Sequence, residues 1–135
     1  MRKGRGILDT SVVVLLDLLN VDSDLPEEPF ITTVTLAELS VGPLVAADES
    51  ERASRQSRLQ LTEATFDPIP FDASAARAFG RVAAELRSRG GRTKACSFDA
   101  MIAAIALSLS LPVFTANPRD FVGITGLDVV EVRAP

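Results

Sequence analysis

Gly6-Ile7-Leu8-Asp9-Thr10-Ser11-Val12-Val13 reads as a short buried strand that ends on an acid and passes directly into a helix. Ile7 and Leu8 supply the strand, and Ser11 is the expected cap of an apolar helix from Val12 to Leu19. The unit recurs along the chain. Asn20 to Pro29 is a polar loop, and Phe30 to Thr33 a second strand. A helix is expected from Thr35 until Gly42-Pro43 bends or ends it. A charged helix spans Asp48 to Ala64, with Arg52, Arg55 and Arg58 on one side. Phe66 to Phe71 holds two prolines, so any strand there is short or at an edge. Ala73 to Arg89 is an Ala- and Arg-rich helix stopped by Gly90-Gly91. Ser97 caps an apolar helix to Leu109, Pro112 to Thr115 is another buried strand, and Val129 to Val132 a last one.

Short apolar strands alternating with helices predict an α/β fold, a three-layer sandwich around a mostly parallel central sheet of four to five strands. At 135 residues and 47% apolar content the chain fits a single domain over residues 1–135. The longest apolar stretch, Met101 to Phe114, is broken by Ser108, Ser110 and Pro112 and is too short to span a bilayer. Met1 to Gly6 leads into only two apolar residues before Asp9, so no secretory signal is expected. Cys96 is the single cysteine and has no internal disulfide partner. The expected compartment is the cytoplasm.

Absent residue types narrow the chemistry. There is no histidine, which excludes Ser-His-Asp triads, histidine-ligated zinc and ribonuclease chemistry by imidazole acid and base. There is no Trp or Tyr, which leaves seven Phe for any base stacking. No Walker-type phosphate loop is present. Carboxylates, Arg, Lys and a carboxylate-held metal remain. The net charge is −4, but its distribution is uneven. Asp17, Asp22, Asp24, Glu27 and Glu28 form an acidic run, whereas Arg77, Arg81, Arg87, Arg89, Arg92 and Lys94 face only Glu85.

Parallel sheets place their sites at the carboxyl ends of the strands. Asp9 closes the first strand, Glu38 follows the second, and Thr115, Asn117 and Asp120 follow the fourth. Each acid also has a plainer reading. Asp9 fits a helix cap, Glu38 fits the last position of a Thr35-to-Glu38 capping box, and Asp120 fits a surface acid after the Asn117-Pro118 turn. Asp99 sits in the first turn of a helix that is apolar all round, in line with Ile102 and Ala103, so it is expected to line a cleft. Alternation alone does not say which end of the sheet holds Asp99. Clustered acids raise one another's pKa values unless something offsets the charge. Mg²⁺ and Mn²⁺ take hard oxygen ligands, and such an ion polarises a phosphodiester oxygen and activates water without histidine.

Leu8-Asp9-Thr10-Ser11, Thr33-Val34-Thr35-Leu36-Ala37-Glu38-Leu39, Phe98-Asp99-Ala100-Met101-Ile102-Ala103-Ala104 and Leu111 through Phe121, closed by Gly126-Leu127-Asp128-Val129-Val130, together resemble the PIN-domain nucleases, specifically the VapC-type toxins of bacterial toxin–antitoxin pairs. The resemblance covers essentially the whole chain, in the family's order. It implies a metal site of Asp9, Glu38, Asp99 and Asp120, with Asp99 at the same end as the others. Thr10, Ser11, Thr115 and Asn117 fall where the family supports the acids or contacts phosphate. It further implies Mg²⁺ or Mn²⁺, endonucleolytic cleavage of a cellular RNA, a homodimer, and an antitoxin that blocks the site. Arg87, Arg89, Arg92 and Lys94 are a candidate contact to the RNA backbone; as cations near a helix end, they also suit the helix dipole. Gly42-Pro43 is unusual for the pattern and is expected to shorten its helix.

Two other classes compete. A phosphatase of the haloacid-dehalogenase type needs a second Asp two residues past the first, where Ser11 stands, and no lysine lies between Lys3 and Lys94. An inactive PIN-like domain acting as an RNA- or protein-binding module is the other alternative, distinguished by a metal titration.

Overall fold

The computed structural model describes residues 4–90 and 97–135; Arg92, Lys94 and Cys96 lie outside them. Four strands, β1 (Arg5–Leu8), β2 (Glu28–Phe30), β3 (Val113–Thr115) and β4 (Val129–Glu131), form one sheet in the order β2-β1-β3-β4. Every pairing is parallel, with Ile7 opposite Phe30 on one side and Val113 on the other. Side chains alternate across a strand, and the core divides accordingly. Ile7 and Val113 face a cluster with Val82, Ile102 and Ile105. Leu8 and Phe114 face a second cluster with Val12, Val13 and Leu39. Two apolar clusters on opposite faces of one sheet are the three layers expected. Gly6 has a packing reason: the Phe114 ring occupies the place a Cβ would take.

The helices are α1 (Thr10–Val13), α2 (Val21–Asp24), α3 (Thr33–Val41), α4 (Glu49–Thr65), α5 (Ala73–Ser88) and α6 (Phe98–Leu109). Asp48, Asp72 and Ser97 cap the last three through their side chains.

Several boundaries differ from the sequence expectation. The Val12 to Leu19 helix is instead α1 followed by a 3₁₀ turn at Leu16–Leu18, and Asp9 rather than Ser11 is the cap. Val12, Val13 and Val14 are β-branched and weak helix formers, and only the first two are buried. The polar loop contains α2, capped by Asn20. The second strand ends at Phe30; beyond it Thr32 makes a single bridge to Ile69, which is all the pairing that Phe66 to Phe71 achieves. Thr32 caps α3 by accepting from the Thr35 N–H at 3.3 Å, so Thr35 lies inside the helix and no Thr35-to-Glu38 capping box forms. Gly42-Pro43 does end α3, in a 3₁₀ turn over Gly42–Val45, where Arg55 donates to the Gly42 carbonyl at 2.9 Å. No helix among the described residues is long and apolar enough to cross a membrane.

Candidate active site

β1 lies between β2 and β3, so successive connections leave it in opposite directions. The carboxyl end of β1 is therefore a topological switch point, where a crevice opens. Asp9 stands there. Its N–H bonds to the Phe114 carbonyl at 3.0 Å, which extends the sheet by one residue. The side chain is 2% exposed and held on three sides: Oδ1 accepts from Ser11 at 2.6 Å and from the Val12 N–H at 3.1 Å, and Oδ2 accepts from Thr115 at 2.5 Å. Asp9 is thus the helix cap as well as the acid that stands at the switch point.

Thr115 ends β3 and is fully buried. Its hydroxyl also accepts the Asn117 N–H at 3.0 Å, and Ser11 Oγ accepts the Ala116 N–H at 2.9 Å. These bonds tie the start of the β3 exit loop to Asp9. Asn117 takes part through its backbone, with no side-chain cap to the 3₁₀ turn at Pro118–Phe121. Asp120 lies on that turn, half-buried, and its charge acts on Asp9. Glu38 extends from α3, where Oε1 accepts from Thr10 at 2.7 Å and Thr10 meets Thr35 at 3.0 Å. Thr35 is a site residue that the sequence suggested only as a cap. Its three-residue offset from Glu38, on one helix face, was the available signal.

Asp99 lies in the first turn of α6, two residues past the Ser97 cap. Ser110, in the left-handed conformation, closes α6, and Leu111 bonds back to Ala106 just before β3 begins. The last turn of α6 therefore abuts the amino end of β3, and Asp99 stands at the opposite end of the helix. The Pro118–Phe121 turn packs on α6.

Burial is the main cause that raises the Asp9 pKa; the bonds from Ser11, Thr115 and Val12 oppose it, and the Asp120 charge adds to it. Glu38 is raised by burial too, with Thr10 opposing and the Asp9 charge adding. Asp9 and Glu38 thus sit in a poorly solvated crevice with the Asp120 charge acting on Asp9, and among the described residues none of the three is paired with Lys or Arg. Among the described residues no three acids close into a ready-made metal cage. The donor set is all hard oxygen. It fits an ion such as Mg²⁺ that takes one or two carboxylates directly and keeps several waters, and such a cation would offset the shared negative charge.

Of the candidate RNA-contact residues, Arg87 and Arg89 lie at the end of α5. Arg89 approaches Glu85 at 3.9 Å and rests against Gly123. A groove of about 530 Å³ opens between the Val13 to Asp17 segment and α4, with Val14, Leu16, Leu61 and Phe66 among its apolar walls.

The PIN domain family model matches residues 7–126. Ribonuclease VapC5 of Mycobacterium tuberculosis is 39% identical over 129 residues, 94% of this chain and 93% of that protein. Ribonuclease VapC8 of the same species is 36% identical over 103 residues, 76% of this chain and 91% of that one. The crystal structure of VapBC-5 from M. tuberculosis, a member of the VapBC family of toxin–antitoxin systems, superposes with a TM-score of 0.79 at 34% identity, over 96% of this chain and 99% of that chain.

Proposed function

Since this chain belongs to the PIN-domain family, as a VapC-type member, we propose that it is a Mg²⁺- or Mn²⁺-dependent endoribonuclease, a toxin that cuts cellular RNA in the cytoplasm and is neutralised by a cognate antitoxin. The observation that carries this reading is the buried Asp9 carboxylate, fixed by Thr115 and Ser11 and acted on by the charge of Asp120, with no Lys or Arg paired to it among the described residues. Capping of α1 accounts for the Asp9 bond to Val12 but not for the neighbouring acids, because burial and like charge both work against such a cluster.

Asp9, Glu38, Asp99 and Asp120 would hold the ion. When bound, it supplies Lewis acidity toward a phosphodiester oxygen and lowers the pKa of water. The protein's own part is positional. Ser11 and Thr115 leave Asp9 one orientation, Thr10 holds Glu38, and the Asn117 N–H keeps Thr115 aligned. Arg87, Arg89, Arg92 and Lys94 are assigned to the RNA backbone, where cations set affinity rather than sequence. The protein is proposed to act as a homodimer, with the antitoxin seated in the groove beside α4 and reaching the acids.

The test is cleavage of total RNA by the antitoxin-free protein with Mg²⁺, with Mn²⁺ and with a chelator. Cleavage that depends on either ion and is lost in Asp9→Asn supports the reading. Cleavage that survives chelation, or is absent with both ions, overturns it.

A further inference from the structure

Two hydroxyls stand in line behind Glu38. Thr10 Oγ1 donates to Oε1 at 2.7 Å and lies 3.0 Å from Thr35 Oγ1. A threonine hydroxyl carries one proton and two lone pairs. With Glu38 ionised, the Thr10 proton is committed to the carboxylate, so Thr35 is the donor in the second contact. The chain of bonds therefore runs one way, from Thr35 to Thr10 to Glu38, and each bond polarises the next.

The place of Thr35 is unusual for a hydroxyl. It is 0% exposed, between Val34 and the half-buried Leu36 on α3. Burying a hydroxyl is costly unless it is bonded, and Val would fill the same volume without that cost. Its N–H already goes to the Thr32 cap, so helix capping does not use the hydroxyl. Among the described residues, the only bond that its side chain makes is to Thr10, 25 residues away in sequence. Oε2 of Glu38, by contrast, accepts from no donor among the described residues.

We propose that Thr35 is a positioning residue for Glu38, acting through Thr10: it fixes the Thr10 hydroxyl so that Oε1 stays occupied and Oε2 is the oxygen left for the cation. The proposal rests on reading Glu38 as a cation ligand. Thr35 itself touches neither substrate nor cation.

The test uses the full chain, with Mn²⁺ alone as the calorimetric probe and RNA cleavage measured separately. Thr35→Val should weaken Mn²⁺ binding and lower kcat by about tenfold, within the range typical of groups that orient a metal ligand. KM for RNA should be unchanged, and Thr35→Ser should restore both values. Thr10→Val/Thr35→Val should be no worse than Thr10→Val, since the two act in series. Thr35→Ala provides the same comparison should the valine variant not fold. Unchanged Mn²⁺ affinity in the folded variants, or independent, additive losses in the double variant, overturns the proposal. A parent protein that binds no Mn²⁺ overturns the functional reading, and this proposal with it.

Discussion

Thr115 Oγ1 donates to Asp9 Oδ2 at 2.5 Å, joining the ends of two adjacent parallel strands that lie 106 residues apart in sequence. Thr115 is fully buried, so water cannot replace the bond. Thr115→Val should keep the volume and remove the donor. Its expected effect is a roughly 10–100-fold loss of cation affinity or activity, as for other partners of metal ligands. Calorimetry with Mn²⁺ and cleavage assays measure it; unchanged values in a folded variant would mean the bond serves the fold alone.

Asp9→Asn and Asp99→Asn should each abolish cleavage by more than that range while leaving the fold intact. Asn still caps a helix well, so α1 should survive in the first variant. Circular dichroism with and without Mg²⁺ decides the matter. Unfolding of both variants would make these acids structural.

Asp9 and Glu38 titrate above the ordinary carboxylate range when folded and near it when unfolded. Protonation therefore favours the folded state. The stability linked to this pair is complete below the unfolded values and is lost as pH rises through the folded ones. Glu49, lowered by its bond to Arg52, and Glu85, lowered by its bonds to Thr125, act in the opposite sense. A comparison of parent and variant isolates the Asp9 share. Metal-free Asp9→Asn should melt higher than the parent at pH 7, and the gap should narrow as pH falls through the folded value of Asp9 toward the unfolded one. A gap independent of pH would show that Asp9 carries no such linkage.

Cleavage should leave a 5′-phosphate and a 3′-hydroxyl. Attack by water does not need the ribose 2′-hydroxyl, and the chain has no histidine to run transfer through it. End-group analysis of the fragments gives the answer; a 2′,3′-cyclic phosphate on the upstream piece excludes the mechanism.

The antitoxin is expected to make two separable contacts. An Arg-bearing segment should enter among the four acids, where its planar fork can pair with carboxylates. An amphipathic helix should lie in the groove beside α4, where Leu61 is 63% exposed. Leu61→Asp in this chain should therefore weaken assembly, read by gel filtration. Arg→Ala in the antitoxin should weaken inhibition more than assembly. Full inhibition by that Ala form would exclude plugging by arginine.

Strand and helix types were legible in the sequence because they follow apolar periodicity, which is local. Ile7-Leu8, Val113-Phe114 and the run from Met101 to Ala106 declare themselves. So does the cap Ser97, whereas Asp48, expected as the first residue of the charged helix, caps it instead. The acids after strands were visible for the same reason, since a parallel sheet collects its strand ends at one edge. What the sequence left open were choices between neighbouring hydroxyls and carboxylates of equal local merit. Asp9 or Ser11 could cap α1, and Thr35 was the expected cap of α3 where Thr32 takes that place. Tertiary contact settled both, because Ser11 is engaged by Ala116 and Asp9, and Thr35 by Thr10. Local propensity differs by tenths of a kcal/mol between such alternatives, whereas a buried hydroxyl or carboxylate without its partner costs more than 1 kcal/mol, so the distant partner decides.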